Sequence, residues 1–317
     1  MATTLLTVPA EIRAVIIESV LLSKRAAPPD IEAAEAMHHP FQLTIDVDKQ
    51  LAAQFNTWDP GPRHVRFEDQ KESDGRIRCT SNSLPLLLTN RQINFETSSA
   101  IARLGEKVRQ YDLDVFVVDE YFLTTWTCIP ILTTQVDRVN VTFRVHSISP
   151  RAFRIGDGSP PQIYWWFYFL LEYFLKRGPV SPTLAAGAPR VRDREIGVRE
   201  IVLDFQGVGS GAENPREGLG NIVVQAKRGF GALIFMNYHT AKYGGIVYER
   251  VGSVRFCFNG EVDWEVDLGD GLDKLRHEDP QDTFGHLWPR ENRVPAFQEW
   301  KKNAKRLREE RGFKLVH

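Results

Sequence analysis

Three segments of this chain share one form, Val-x-x-Φ-x-Φ-x-Phe with Φ apolar: Val136 to Phe143, Val198 to Phe205 and Val251 to Phe258. Apolar and polar side chains alternate in each, the pattern of a strand that buries one face. A helix-like stretch fills both intervals, so each unit reads as a strand plus a crossover helix, which implies mainly parallel pairing. Val139, Val141, Ile201, Leu203, Val254 and Phe256 are therefore expected side by side in one sheet. Leu113 to Val118 supplies a further strand upstream, and Tyr121 to Thr133 reads as a connecting helix interrupted near Pro130. With at least four strands in register and right-handed crossovers, the fold class is α/β. The array is either an irregular solenoid-like layer or a single compact sheet.

The helix of the first interval is the aromatic stretch from Pro161 to Lys176. Its apolar heart, Ile163 to Leu175, has 13 residues. That is about 20 Å of helix against roughly 30 Å of hydrocarbon, and Glu172 interrupts it. It reads as a buried core helix, and the aromatic-lined ligand pocket is the sharper alternative. The second helix runs from Pro215 to Met236, weakened by Gly218, Gly220, Gly229 and Gly231. Ser23 to Pro40, Thr57 to Ser83, His146 to Pro160, Arg177 to Gly197 and Gly269 to Pro295 read as loops, and the Pro-rich Arg177 to Gly197 as the most mobile.

The N-terminal run Leu5 to Leu21 is signalled as a helix starting near Thr7, which can cap it. Pro9 suits its first turn, and Glu11 lies near the positive end of the helix dipole. Ile12, Val15, Ile16, Ser19 and Val20 recur at helical spacing, and Val8, Ile17, Leu21 and Leu22 leave few polar positions. Such a helix is expected to bury most of its surface, packing on its own chain or on a partner.

Far downstream, Leu84-Pro-Leu-Leu-Leu-Thr-Asn-Arg-Gln-Ile-Asn-Phe-Glu-Thr97 answers it. Pro9-Ala-Glu-Ile-Arg13 followed, after an insert, by Arg91-Gln-Ile-Asn-Phe-Glu96 resembles the opening of fungal F-box-like proteins, with Val8 where Leu is usual. The match covers about the first 145 residues, and the chain departs from a compact three-helix F-box in the length of its insert. The resemblance implies an F-box-like helical region with a long insert in residues 1–105, and the internal repeat and the charge of the tail make 106–317 an α/β repeat-like body with a basic C-terminal helix. The resemblance also implies a non-enzymatic interaction module, a substrate receptor of a ubiquitin ligase, with a Skp1-type adaptor and a protein client as partners. The adaptor-binding positions it assigns are Val8, Pro9, Ile12, Ile16 and Val20.

Composition bounds these expectations. Forty basic and 41 acidic side chains in 317 residues give a net charge of -1, and 42% hydrophobic content suffices for a sizeable core. No global field recruits nucleic acid or an anionic membrane. Cys79, Cys128 and Cys257 are far apart and odd in number, which argues against a disulfide framework or a zinc cage and for a reducing compartment, cytoplasm or nucleus.

No cofactor or metal motif is found. Gly207-Val-Gly-Ser-Gly211 lacks the spacing of a phosphate loop, and Asp204, Glu213 and Glu217 would repel a pyrophosphate. The acidic run Glu261 to Asp273 fails as an EF-hand opened at Asp267 and closed at Glu278, because Leu272 replaces the required glycine. It reads as a half-exposed acidic strand. His38-His39 has no third ligand at a metal spacing, and no nucleophile motif is present, so an enzyme with an unrecognised site is the alternative to the interaction module. From Gln298 to His317 seven basic residues against three acidic give +4, and from Glu261 to Asp282 nine acidic against two basic give -7. The two segments are complementary, so the tail helix is expected on its own chain. A nucleic-acid-associated protein using that basic helix is the further alternative.

Overall fold

A computed structural model of the protein describes residues 5–39, 64–68, 81–153, 160–179, 193–207, 215–236, 240–277 and 290–313, without the side chains of 39, 215–219 and 290. Cys79, residues 208–211 of the glycine turn, Glu278, Lys314 and most of the loop expected between Arg177 and Gly197 lie outside the described residues.

The repeated segments become three adjacent strands, β5 (Gln135–Val145), β6 (Gly197–Gly207) and β7 (Val251–Phe258), all parallel. Their equivalent positions stand in register: Val139 faces Ile201, which faces Val254, and Val141 faces Leu203, which faces Phe256. Alternation puts these side chains on one face, where Phe143 stacks on Phe205 at 4.7 Å between ring centroids. The array is a single sheet, not a solenoid. Its order is β1 (His38–His39), β2 (Val65–Glu68), β4 (Tyr121–Cys128), β3 (Gln110–Val118), β5, β6, β7, β8 (Glu261–Asp267). Parallel pairing joins β2 to β4 and the run β3-β5-β6-β7, and the β1/β2, β3/β4 and β7/β8 pairs are antiparallel.

Two expectations need correction here. Tyr121 to Thr133 is not a helix, because Tyr121–Cys128 folds back on β3 as strand β4 through the tight turn at Asp119 and Glu120. Its aromatic and β-branched residues suit a strand buried on both faces. The expected loops from Ser23 to Pro40 and from Thr57 to Ser83 hold helix α2 (Ile31–Met37) and strands β1 and β2. Those strands join the common sheet, so residues 38–39 and 65–68 of the insert pair with the body.

Helices α5 (Gln162–Arg177), α6 (Pro215–Phe235) and α7 (Ala241–Arg250) pack over one face. α5 is the aromatic helix, and Trp166, Tyr168, Phe169, Tyr173 and Phe174 are buried beneath it. Each such side chain contributes about 2 kcal/mol of transfer free energy. The opposite face is covered over β3 and β4, where Ala34 of α2 packs on Phe116, Val118 and Leu123. Farther along it carries a ladder of charges that ends at the exposed Glu265, Arg138 to Glu200 at 2.5 Å, Glu200 to Arg255 at 2.9 Å and Arg255 to Glu265 at 3.4 Å.

The acidic strand β8 ends at Asp267, whose carboxylate accepts from the amides of Gly269 and Asp270 and caps α8 (Leu268–Lys274). A capped helix therefore stands where a calcium loop would run. The tail forms α9 (Arg290–Glu310) and meets the acidic segment as its charge suggests. Lys305 pairs with Asp273 at 2.5 Å, and Lys301 donates to the carbonyl of Leu275 at 2.8 Å. Arg308 is 1% exposed and donates to the carbonyls of Tyr248 and Val251, closing the junction of α7 and β7. No helix among the described residues is long and apolar enough to cross a membrane.

Candidate docking surface

Outside the sheet stand three helices, α1 (Ala10–Leu21), α3 (Ser83–Thr89) and α4 (Arg91–Leu104). α1 starts at Ala10, later than expected, after a one-turn 3-10 helix at Leu5–Thr7, and no side chain caps it. α4 is conventionally capped, the Asn90 carboxamide oxygen accepting from the amide of Ile93 at 2.9 Å. It stops at Gly105, whose φ of 55° suits a residue without Cβ.

The helices meet through a small apolar core of Ile17, Leu21 and Ala100, with Leu86, Ile101 and Leu104 against it. Beside that core lies a charged latch. The Arg13 guanidinium donates to Glu96 through Nε, to Oε2 at 2.9 Å and Oε1 at 3.2 Å, and through Nη2, to Oε1 at 2.7 Å, and also to the carbonyls of Leu6 and Val8. Gln92 adds a hydrogen bond to the same carboxylate at 3.1 Å. These hydrogen bonds, Arg13 first, hold the Glu96 carboxyl below its usual 4.5, and Glu96 raises Arg13 in turn. The arginine ending the first sequence motif is thus paired with the glutamate ending the second.

The insert leaves and returns at one point. The Asn82 carboxamide donates to the carbonyls of Leu21 and Ser23, both at 2.9 Å, on the two sides of the departure. Backbone bonds from Arg25 to Thr127 and from Asn82 to Ile129 tie both crossings to the end of β4. A third crossing, the 3-10 turn Gly105–Arg109, is held by Arg109 to Asp137 and by Arg199, which reaches both Glu106 and Asp137 at 3.0 Å.

The expectation that the first helix buries most of its surface fails. Arg13, Ile17 and Leu21, spaced by four, are its buried stripe, because α1 has neighbours on one side only. One residue earlier, and 100° round the helix, Ile12 is 52% exposed, Ile16 37% and Val20 38%. Of the positions assigned by resemblance, Pro9, Ile12, Ile16 and Val20 are exposed and Val8 is half-buried.

Sequence reasoning missed the other exposed apolar side chains of the cluster. Val15, Leu84, Leu88 and Phe95 are exposed too, Leu88 and Phe95 by more than 70%. The signal was present in α4, where Ile93, Thr97 and Ala100 mark the inward stripe and Phe95, two residues from Ile93, falls on the far side. Nine of the thirteen exposed large apolar side chains among the described residues lie between Leu5 and Phe95, the other four being Leu132, Val224, Phe235 and Val262. Apolar exposure concentrated in this way marks interaction surfaces.

Reactive groups elsewhere are muted. Cys128 and Cys257 are separate buried thiols, and burial pushes Cys128 up to about 11 and Cys257 upward. His38 lies buried between α2 and β4, its Nδ1 donating to the carbonyl of Ala34 and its Nε2 close to Thr125 Oγ1 and the Thr124 carbonyl. Burial lowers its pKa, against the carbonyls of Ala34 and Thr124, which raise it. Comparison of the chain with protein-family models, with curated proteins and with solved structures finds no match.

Proposed function

We propose that this protein is a non-enzymatic interaction module that docks a Skp1-type adaptor through α1 and carries a protein client on its α/β body, as a substrate receptor of a ubiquitin ligase in the cytoplasm or nucleus. The observation behind this reading is the solvent-facing stripe Ile12, Ile16 and Val20, which needs no unfolding to be reached. Covering such side chains is worth about 2 kcal/mol each before the costs of association. The pairing of Arg13 with Glu96 supports it, since that pair fastens α1 to α4 by its inner side and leaves Ile12 and Ile16 outside. The basic tail favours nucleic acid less, because Lys301, Lys305 and Arg308 are engaged by the chain itself.

Co-expression with a Skp1-type adaptor tests the proposal. Wild-type protein is expected to co-purify with the adaptor. A double variant Ile12→Asp with Ile16→Asp is expected to lose it while melting at the wild-type temperature, because a charge placed on an exposed stripe is costly only in a desolvated contact. Wild-type protein that binds no adaptor defeats the docking role.

A further inference from the structure

We propose that the gap between α5, α6 and the centre of the sheet is a binding site for a small uncharged hydrocarbon, up to the size of a single ring. A cavity of about 70 Å³ lies there, floored by Val141 and Leu203 and walled by Phe167 and Leu171 of α5 and Ala226 and Phe230 of α6. It is several times the roughly 10–15 Å³ that one water needs and about half the size of an engineered apolar cavity that holds benzene. Close-packed interiors leave few voids of this kind. Leu203 sits mid-strand in the interior of the sheet under the helix layer, yet it is only partly buried.

Two tyrosines one turn apart keep the gap from closing. Tyr164 donates to the Gln225 side chain and Tyr168 to the carbonyl of Gly229, both at 2.8 Å, which sets the distance between α5 and α6. Contact is already complete at that end, because a Cβ on Gly229 would come within 2.9 Å of the Tyr164 ring. The helices cannot approach further to fill the space.

The lining dictates the ligand class. It carries no carboxylate, amine, guanidinium or imidazole, and its one tyrosine hydroxyl, that of Tyr168, is spent on Gly229. Apart from the indole N–H of Trp126 the walls are apolar, so water would find few partners there and a charged head would be left unpaired. Phe143, Phe167, Phe230 and Phe256 offer ring edges and faces to an apolar guest.

Benzene is the probe, with hexanoate as its charged counterpart, each titrated into the full-length protein while the melting temperature is followed. Benzene is expected to raise it saturably by about 2 °C or more, and hexanoate is expected not to. In Ala226→Leu, which fills the space, the benzene shift is expected to vanish. If that variant does not fold, Val141→Ile adds a single methylene and is expected to shrink the shift. No benzene shift in the wild-type protein overturns the site, an undiminished shift in the filled variant that folds overturns its location, and an equal response to hexanoate overturns the ligand class.

Discussion

The sheet and the helical cluster solve the same packing problem with opposite polarity. In the body, apolar strand faces turn inward under α5 to α7 and the charges stand in a ladder on the opposite face. In the cluster, an arginine with a side chain only 8% exposed takes a core position, and isoleucine, valine, leucine and phenylalanine face solvent. The body is organised for its own stability. The cluster leaves apolar surface uncovered, which lowers solubility unless something covers it.

The sharpest way to break this comparison uses neighbouring residues on α1. Ile17→Asp buries an unpaired charge and is expected to cost about 4 kcal/mol, read as a lower denaturant midpoint, whereas Ile12→Asp is expected to change stability by no more than about 0.5 kcal/mol. Equal effects would mean that the two stripes are not distinct. The body has its own buried cation, and Arg308→Met strands the carbonyls of Tyr248 and Val251, with an expected cost of about 3 kcal/mol and early loss of α9 in hydrogen exchange.

Acid should separate the regions in order. The folded-state pKa of His38 is lowered, so its contribution is fully present above the unfolded value of 6.5 and is lost as the pH falls through the folded value. Glu96 is lowered from 4.5, so the latch keeps its full contribution down to that pH and weakens only below it. Hydrogen exchange in α2 and β1 is therefore expected to rise at a higher pH than exchange in α1 and α4. The reverse order would contradict the assignment of the latch to Glu96. The smallest effect is expected from Arg103→Ala, which removes an exposed pair with Glu18 at 2.8 Å worth about 0.5 kcal/mol or less by melting temperature.

What was legible in the sequence follows from these differences. β5, β6 and β7 could be read because each buries one face, and that alternation survives in the residues themselves. β4 hid because both its faces are buried and because the turn before it, Asp119-Glu120, contains no glycine. The comparable turn before β8 is Asn259-Gly260, with φ values of 50° and 83°, the chemistry that a hairpin prefers. β1 and β2, of two and four residues, are too short to leave a period and exist because a sheet edge receives them. The stripe Ile12, Ile16 and Val20 was named from resemblance, but its exposure could not be, since an all-round apolar helix does not announce which side lacks a neighbour. Leu88 escaped for the same reason, whereas Phe95 stands off the stripe of Ile93, Thr97 and Ala100 and was legible there.

The three crossings between cluster and sheet have a mechanical consequence. A single linker would let two parts twist about one bond, but chain crossings near Ser23, Asn82 and Gly105, tied to the sheet through Arg25, Asn82 and Arg109, leave no free torsion axis. A molecule gripping α1 would hold the whole sheet at a fixed attitude, so the reach to anything bound on the far side would be set by geometry and not by diffusion of a tether. The insert that lengthens the chain between the two motifs thereby stiffens the lever that connects them.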